Sequence, residues 1–321
     1  MKAQYYDLTA PQLLTLRELE LDASRLGADE ILATTEFSVV SPGTELAAWQ
    51  GQPPLRPSRV YPRLMGYCNL ARVAVIGSRV RDIAVGDYVL THQSHRTAFV
   101  CPASEILLTF PGTTAPALCR RLAATYLYHL GHVALQAGGF ATDKRVAIIG
   151  RGTLGVATAE LVCAQGAQLF VFTDQTAALP ALELEQVCPK AAVGQQSTAD
   201  IVINTTNLWA DHLLALELAK HRARIVCLGF PGRGQPLPDF NPLDSQYFYD
   251  KQLSLHHCGH VPDHATLQHN LAHLADLITG GQLNPDLLLS VDAPWRDLAA
   301  IYARLAAREP GLLTACLRWT P

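Results

Sequence analysis

Three glycines and one aspartate between residues 150 and 174 form the most chemically specific pattern in this sequence. Gly150, Gly152 and Gly155 follow the apolar run VAII (146–149), and Asp174 ends the next apolar run, nineteen residues after the last glycine. Glycines at this spacing allow a tight turn, close approach of the backbone to a pyrophosphate, and close packing of a helix on a strand. An acid after the second strand can accept both ribose hydroxyls and repel a 2′-phosphate. The pattern therefore predicts a nicotinamide dinucleotide site, with NAD favoured over NADP.

Further residues of the predicted cofactor site follow from the same arrangement. Arg151 lies inside the glycine turn, where its guanidinium could pair with a phosphate or, alternatively, favour NADP. Ligands of parallel sheets bind beyond the carboxyl ends of the strands, so we expect the ends of ADIVINTT (199–206) and RARIVCLGF (222–230) to lie along the nicotinamide half. The predicted cofactor-binding residues are Gly150, Arg151, Gly152, Thr153, Leu154, Gly155, Asp174, Thr205, Thr206, Leu228, Gly229 and Phe230.

Two kinds of element must position these residues. Before about residue 115, short strand-like runs separated by turns are typical of an irregular β domain. The proline-rich segment 51–61 among them is predicted to be an exposed loop. After Pro116, helical and strand-like patterns alternate, which predicts an α/β domain with a doubly wound parallel sheet. The segments 264–281 and 294–307 have helical periodicity and are predicted as two closing helices.

Composition limits the functional classes. A chain of 321 residues with 49% hydrophobic content suits two domains. The formal net charge of −3 provides no basic footprint for nucleic acid. No apolar run reaches the length of a bilayer span, so we expect no membrane segment and a cytoplasmic location. The eight cysteines occur singly, without a CxxC pair, and this spacing indicates neither a disulfide framework nor a four-cysteine zinc lobe.

The whole chain resembles the medium-chain dehydrogenase/reductase superfamily, in which a GroES-like β domain precedes a Rossmann domain and the tail returns to the first domain. The matching segments are MKA (1–3), SVVSPGTEL (38–46), GYCNLARVAVIG (66–77), VGDYV (85–89) and LAATYLYHL (122–130). The SPGTEL form is similar to a zinc-independent branch that includes bacteriochlorophyllide hydroxyethyl dehydrogenases. The resemblance implies a GroES-like domain over 1–122, a Rossmann domain over 123–257, and a returning segment over 258–321. It also implies a homodimer formed through edge strands of the Rossmann sheets.

Three departures from the pattern of zinc-dependent members concern the metal. Those members hold zinc through a cysteine in the first turn, a His-Glu pair in the second, and a cysteine or acid on the helix before the Rossmann domain. The matching positions here are Pro42, Tyr67-Cys68 and, approximately, Arg121. Proline lacks a donor atom, tyrosine is a poor zinc ligand and arginine is permanently cationic, so we expect no catalytic zinc. A shifted site built from Cys68 and Cys119 is the less favoured alternative.

Without a metal, charge that develops on a substrate oxygen must be met by hydrogen bonds and a proton donor. Thr44 stands where many family members carry a hydroxyl that relays the alcohol proton, and Tyr67 could place a phenol at the substrate oxygen. His92 and His95 lie in a loop that borders the substrate cleft in relatives, and histidine titrates nearest neutrality. These four residues are the predicted catalytic set. The alternative for each is a packing or exposed side chain that does not touch substrate.

Seven potential metal ligands crowd into residues 256–273. They are His256, His257, Cys258, His260, His264, His269 and His273. The first group lies on a predicted strand and the second on a predicted surface helix, so we interpret them as residues beside the cofactor and as solvated helix residues, and we predict no metal site. Residues 256–258 could offer backbone groups to the nicotinamide carboxamide, as the equivalent strand does in relatives.

Three functions remain open at this point. The first is a zinc-independent NAD-dependent oxidoreductase that acts on a secondary alcohol, ketone or imine of a small biosynthetic intermediate. The second is an NADPH-dependent quinone or enoyl reductase, which would be expected to carry a basic or small polar residue in place of Asp174. The third is a dinucleotide-binding sensor without catalysis. Asp174, Thr44 and the SPGTEL turn favour the first.

Overall fold

A computed structural model describes residues 1–55, 60–175, 182, 185–191, 199–259, 261 and 263–319. Part of the predicted loop 51–61, at 56–59, and His260 of the histidine group lie outside the described residues. The chain divides into two compact units, one formed by Met1–Tyr126 and Asp263–Pro321, and the other by Leu127–Pro262. We call these the β-rich unit and the parallel-sheet unit. The boundaries predicted from the sequence were 122/123 and 257/258.

Two sheets build the β-rich unit. A small antiparallel sheet has the order β2-β1-β4, and a larger sheet has the order β15-β16-β3-β5-β6-β8, with β7 also paired to β3. Its strands are β1 (Lys2–Ala10), β2 (Leu13–Glu20), β3 (Glu30–Val39), β4 (Arg63–Leu64), β5 (Cys68–Ile76), β6 (Tyr88–Thr91), β7 (Ala98–Pro102), β8 (Leu108–Phe110), β15 (Leu289–Pro294) and β16 (Thr314–Arg318). The C-terminal strand β16 pairs antiparallel with β3, Cys316 opposite Val39, so the tail completes this sheet.

The helices of the β-rich unit cover the apolar faces of these sheets. They are α1 (Pro42–Gln50), α2 (Pro116–Leu122), the beginning of α3 (Thr125–Gly138), α7 (His264–Thr279) and α8 (Leu298–Ala306), with 3-10 turns at Ala23–Arg25, Ala103–Glu105, Pro285–Leu287 and Trp295–Asp297. One core joins α1 and α8 through Ala47, Ala48, Leu298, Ile301 and Tyr302. Residues from the two ends of the chain therefore share one apolar core.

The parallel-sheet unit contains a six-stranded sheet with the order β11-β10-β9-β12-β13-β14, in which every pairing is parallel. Its elements are β9 (Val146–Ile149), α4 (Thr153–Ala164), β10 (Leu169–Phe172), β11 (Glu185–Cys188), β12 (Ala199–Asn204), α5 (Trp209–Leu218), β13 (Ala219–Cys227), α6 (Ser245–Phe248) and β14 (Ser254–His257). All four residues of the central strand β9 are buried. The order reverses at β9, and ligands of such sheets bind beyond the strand ends at this point.

The predicted α/β class with a doubly wound parallel sheet is confirmed, but several elements differ. The segment 119–138, whose pattern predicts one helix, forms two helices, α2 and α3, and the Thr125 hydroxyl donates to the Leu122 carbonyl where they meet. The segment 208–221, also predicted as one helix, is helical only to Leu218, because β13 begins at Ala219. Strands β1, β2, β4, β11, β15 and β16 were not predicted.

No helix among the described residues has both the length and the apolar character needed to cross a bilayer.

Candidate functional site

The glycine turn of the parallel-sheet unit joins β9 to α4. Gly150 has φ +95°, a conformation that side chains with a Cβ rarely adopt, and an added Cβ would lie 2.5 Å from the Thr206 methyl carbon. A Cβ on Gly155 would overlap the carbonyl oxygen of Gly150, so this glycine lets α4 pack directly on the turn. Gly152 is the N-cap of α4, and an added Cβ there would meet open space. Gly150 and Gly155 thus have the turn and packing geometry that the spacing predicts, and close approach of a pyrophosphate at Gly152 stays a prediction.

The open space beside Gly152 lies at the beginning of a twelve-residue helix. The first N–H groups of a helix have no partner within it, and the helix dipole makes this end partly positive. Thr153 and Leu154 belong to this first turn. Such a helix beginning is suited to an anion such as a pyrophosphate. The geometry of the turn therefore fits the phosphate part of a dinucleotide.

The Arg151 side chain forms a contact that the sequence did not predict. Its side chain is 6% exposed and forms two hydrogen bonds with Glu185 on β11, of 2.8 and 2.9 Å. Glu185 also accepts the Leu182 N–H. The Arg151 guanidinium is thus hydrogen-bonded to the buried Glu185 carboxylate. This arrangement favours a role for Arg151 in anchoring the glycine turn to β11. Its predicted pairing with a phosphate stays a prediction.

The ends of β12 and β13 are joined by backbone and side-chain hydrogen bonds. The Thr205 hydroxyl donates to the Ile149 carbonyl at 2.8 Å, which fastens the end of β12 to β9. The N–H groups of Leu228 and Gly229 both donate to the Asn204 carbonyl. A Cβ on Gly229 would overlap the Thr206 carbonyl oxygen, so close approach of the two strand ends requires glycine there.

Phe230 follows this junction. Its N–H donates to the Asn207 side chain at 2.8 Å, and the Arg233 guanidinium lies 3.8 Å from the centre of its ring. The predicted cofactor residues 205, 206 and 228–230 therefore lie together at the carboxyl ends of β12 and β13.

An ionic chain that sequence reasoning missed links the glycine turn to Asp174. The Thr206 hydroxyl donates to the buried Asp211 carboxylate at 2.6 Å, and Lys190 lies 2.7 Å from that carboxylate. The same ammonium group lies 3.4 Å from Asp174, whose side chain is 69% exposed. Asp174 follows β10, as predicted, and its carboxylate is accessible. Lys190 lies two residues after the end of β11, a strand that the sequence pattern did not indicate.

The predicted turn at 38–46 is the beginning of helix α1. Pro42 occupies its first position, a place where proline is favoured because no N–H is needed. Glu45, in the first helical turn, accepts the Ser41 N–H at 2.6 Å. The Ser41 hydroxyl forms no cap hydrogen bond with the helix and instead accepts a 2.5 Å hydrogen bond from Tyr67. Sequence reasoning did not predict this helix or name Ser41 as a site residue. A Ser-Pro pair followed by an acid is typical of a helix beginning and could have indicated both.

Tyr67 and Thr44, two of the predicted catalytic residues, come together here. The Ser41 hydroxyl accepts a hydrogen bond from the Tyr67 phenol, and the Thr44 side chain lies beside the same phenol. Burial, reinforced by Cys68, raises the Tyr67 pKa well above its ordinary value despite the opposing effect of Ser41 and Thr44. The phenol is therefore neutral throughout the physiological range and can act as a hydrogen-bond donor.

His92 also belongs to this cluster. A ring nitrogen of His92 lies 3.1 Å from the Tyr67 carbonyl oxygen, and its ring contacts Tyr126 edge to face at 4.6 Å between centres. Tyr126 contacts Tyr67 in the same way at 5.5 Å. Burial raises the Tyr126 pKa to about 12. The Tyr67, Ser41, Thr44, His92 and Tyr126 side chains form what we call the phenol cluster.

His95 is separated from the phenol cluster by its burial. It is fully buried, with one ring nitrogen 2.8 Å from the Ser38 hydroxyl and the other 2.9 Å from Glu45. The Trp319 indole N–H donates to the same Ser38 oxygen, and Tyr302 donates to Glu45. This geometry corrects the prediction that His95 contacts substrate, since both of its nitrogens are used inside the protein. We call these five residues the buried network.

The positions that matched zinc ligands carry other interactions. Arg121 forms two hydrogen bonds with Asp286, at 2.9 and 2.5 Å. Cys68 lies near Glu45, whereas Cys119 lies near Tyr88 and Glu36. In the parts of the chain that the structure describes, no group of three or more His, Cys, Asp or Glu side chains is arranged to hold a metal ion. His264, His269 and His273 are exposed on α7, and His256 and His257 lie on the edge strand β14.

Solved structures of other proteins share this architecture. No family model matches the chain, and no curated protein matches it in sequence. A protein from Sinorhizobium meliloti assigned as a zinc-binding dehydrogenase, bound to NADP, is 18% identical with a TM-score of 0.79, over 99% of each chain. An alcohol dehydrogenase of Escherichia coli complexed with NADH is 14% identical with a TM-score of 0.80, over 99% of each chain.

Galactitol-1-phosphate dehydrogenase of Escherichia coli is 15% identical with a TM-score of 0.80, over 98% of this chain and 99% of that one. At these identities the likeness establishes the fold. The chain has the same fold as these dehydrogenases, a GroES-like β domain with a Rossmann domain, as predicted.

Proposed function

We propose that this protein is an NAD(H)-dependent oxidoreductase that transfers a hydride between the dinucleotide and an alcohol, carbonyl or imine carbon of a small molecule, without zinc. The observation that carries the proposal is the glycine turn, with open space at Gly152, dense packing at Gly155, and an accessible carboxylate at Asp174. Solved structures of the same fold hold NADH or NADP, which supports the cofactor class.

The parallel-sheet unit would hold the dinucleotide. The N–H groups at the beginning of α4 would receive the pyrophosphate, Asp174 would accept ribose hydroxyls, and residues 205, 206 and 228–230 would lie along the remainder. When bound, the nicotinamide supplies or accepts the hydride. The protein's tasks are then to orient the two reactants and to move a proton.

The phenol cluster would move that proton. As a hydride adds to a carbonyl carbon, the bonding electron pair moves to the oxygen, which must gain a proton. The Tyr67 hydrogen can turn from Ser41 to that oxygen, and the Ser41 hydroxyl can then donate to the phenolate left behind. Because the Tyr67 pKa is raised, the phenolate is costly and regains a proton from the surroundings. In the oxidative direction the same steps run in reverse.

The proposal that no zinc takes part depends on side-chain chemistry. Pro42 has no donor atom, the Tyr67 phenol is hydrogen-bonded to Ser41, and Arg121 is ion-paired with Asp286. Each of these positions would have to supply a thiolate, imidazole or carboxylate to a catalytic zinc. Elemental analysis of the purified protein should therefore find much less than one zinc per chain. One firmly held zinc per chain would overturn this part of the proposal.

Hydride transfer can be tested with NADH that carries deuterium at nicotinamide C4. We expect mass spectrometry to find deuterium in the alcohol or amine formed from at least one member of a panel of ketones, imines and conjugated carbonyls. Tyr67→Phe should slow this transfer about 10²-fold or more, since the proton donor is lost. Tyr61→Phe is the matched control, because the Tyr61 hydroxyl donates to the Ala48 carbonyl and does not belong to the phenol cluster. Equal rates in both variants would contradict the role of Tyr67.

A second function is favoured by one observation. Lys190 lies beside Asp174, and a cation at this place suits NADPH, the cofactor expected of a quinone or enoyl reductase. Deuterium on the β-carbon of a conjugated carbonyl, with NADPH as the better donor, would support this alternative. Firm NADH binding with no transfer to any member of the panel would instead support a dinucleotide sensor.

A further inference from the structure

Lys190 lies between two carboxylates of unequal exposure. Its ammonium nitrogen is 2.7 Å from Asp211, whose side chain is 3% exposed, and 3.4 Å from Asp174, whose side chain is 69% exposed. The lysine itself is 20% exposed. The shorter contact is thus made with the buried partner, and the longer one with the accessible partner.

The buried carboxylate fixes the position of the ammonium group. Asp211 also accepts the Thr206 hydroxyl at 2.6 Å, so its oxygens are oriented by two donors. Attraction between opposite charges is stronger away from water, and an unpaired buried carboxylate is costly. Lys190 is therefore held at Asp211 whether or not Asp174 is engaged by another group.

The same contacts locate the ammonium group relative to the glycine turn. Thr206 lies against Gly150, because an added Cβ at Gly150 would be 2.5 Å from the Thr206 methyl carbon. The series of contacts then runs from Thr206 to Asp211, Lys190 and Asp174. It begins at the turn that would hold the pyrophosphate and ends at the acid that would read the ribose. A fixed cation therefore lies within contact distance of the ribose-reading acid.

We propose that Lys190 sets the dinucleotide preference of this protein, by neutralising Asp174 and by presenting a cation to the 2′-phosphate of NADP(H), so that both dinucleotides bind. This inference rests on the proposed function. An acid alone at this place repels the 2′-phosphate, whereas a cation attracts a group that carries about two negative charges. The expected consequence is a dissociation constant for NADPH within about tenfold of that for NADH.

The test is a fluorescence titration of the purified protein with NADH and with NADPH. The main variant combines Lys190→Met with Asp211→Asn, because it removes the cation without leaving a buried carboxylate unpaired and keeps an acceptor for Thr206. We expect its dissociation constant for NADPH to rise about tenfold, the equivalent of one lost charge-assisted contact. The constant for NADH should change by less than about twofold, because the ribose hydroxyls still meet Asp174.

Two further variants test whether the effect depends on the charge and on the location of Lys190. Lys190→Arg keeps the charge and should keep the ratio of the two constants. The matched control combines Lys220→Met with Asp200→Asn, which removes another lysine–aspartate pair of the same unit. That pair lies at the amino ends of β12 and β13, opposite the ligand-binding ends, and its removal should leave the ratio unchanged.

The outcomes separate this inference from the proposed function. A ratio of constants that is unchanged in the Lys190/Asp211 variant, with both dinucleotides still bound, would overturn the role of Lys190 and leave the function standing. Binding of neither dinucleotide by the unmodified protein would overturn both. Equal changes of the ratio in the Lys190/Asp211 variant and in the Lys220/Asp200 control would also overturn the role of Lys190, since the effect would then not be local.

Discussion

The glycine turn of the parallel-sheet unit and the buried network of the β-rich unit organise polar groups in opposite ways. The turn acts through backbone conformation within six residues, Gly150 to Gly155. The buried network acts through side chains that are distant in sequence, with Tyr302 donating to Glu45 across 257 positions and Trp319 to Ser38 across 281. A site made by backbone geometry is therefore readable from a short motif. A site made by distant side chains becomes visible only when the fold is known.

The largest expected effect distinguishes two glycines of the same turn. Gly155→Ala would force a Cβ against the Gly150 carbonyl oxygen, and we expect it to lower the free energy of unfolding by about 3 kcal/mol or more. Gly152→Ala meets open space and has an ordinary φ of −81°, so the variant should fold normally. Urea denaturation followed by circular dichroism measures both. Equal stability of the two variants would contradict the close packing of α4 on the turn.

In the buried network, replacing the acceptor Glu45 should lower the stability of the protein more than replacing one of its donors. Glu45 is 2% exposed and accepts from Ser41 N–H, His95 and Tyr302. Glu45→Gln presents an amide N–H₂ to groups that need an acceptor, and we expect a loss of about 3 kcal/mol. Tyr302→Phe removes one donor and should cost about 1 kcal/mol. A smaller loss for Glu45→Gln than for Tyr302→Phe would contradict the central place of Glu45.

In alkaline solution a buried thiol of each unit should lower the stability of the protein by a similar amount. Burial raises the pKa of Cys227, in the parallel-sheet unit, and of Cys316, in the β-rich unit, to about 12 from an ordinary value of 9.0. Well below pH 9 both thiols are neutral in the folded and unfolded states. As the pH rises above 9 toward 12, only the unfolded state ionises, so stability falls by at most about 1.4 kcal/mol per pH unit for each thiol.

Urea titrations at pH 8 and pH 10.5 measure this loss. Cys227→Ala and Cys316→Ala should each reduce the loss between the two pH values, by a similar amount, whatever their effect on stability at pH 8. A pH dependence that neither substitution changes would show that other groups control alkaline unfolding.

More of the glycine turn than of the buried network could be predicted from the sequence, for physical reasons. The strand, turn and helix at 146–164 follow from local pattern, and so do the positions of Gly150, Gly152, Gly155 and Asp174. Strands β15 and β16 did not, because their apolar residues gain meaning only when β16 pairs with β3. Lys190 was missed for the same reason, since its partner Asp174 follows β10 and its partner Asp211 lies on α5. His95 was placed in the correct loop, but its burial depends on Glu45 and Ser38.

Dinucleotide binding at the glycine turn is tested most directly by a fluorescence titration of the unmodified protein and of Gly152→Ala with NADH. We predict saturable binding of one NADH per chain by the unmodified protein. For Gly152→Ala we predict a dissociation constant at least about tenfold higher, because the added methyl group occupies the space through which the backbone would approach the pyrophosphate. The absence of saturable NADH binding by the unmodified protein, or equal affinity in a correctly folded Gly152→Ala, would contradict dinucleotide binding at this turn.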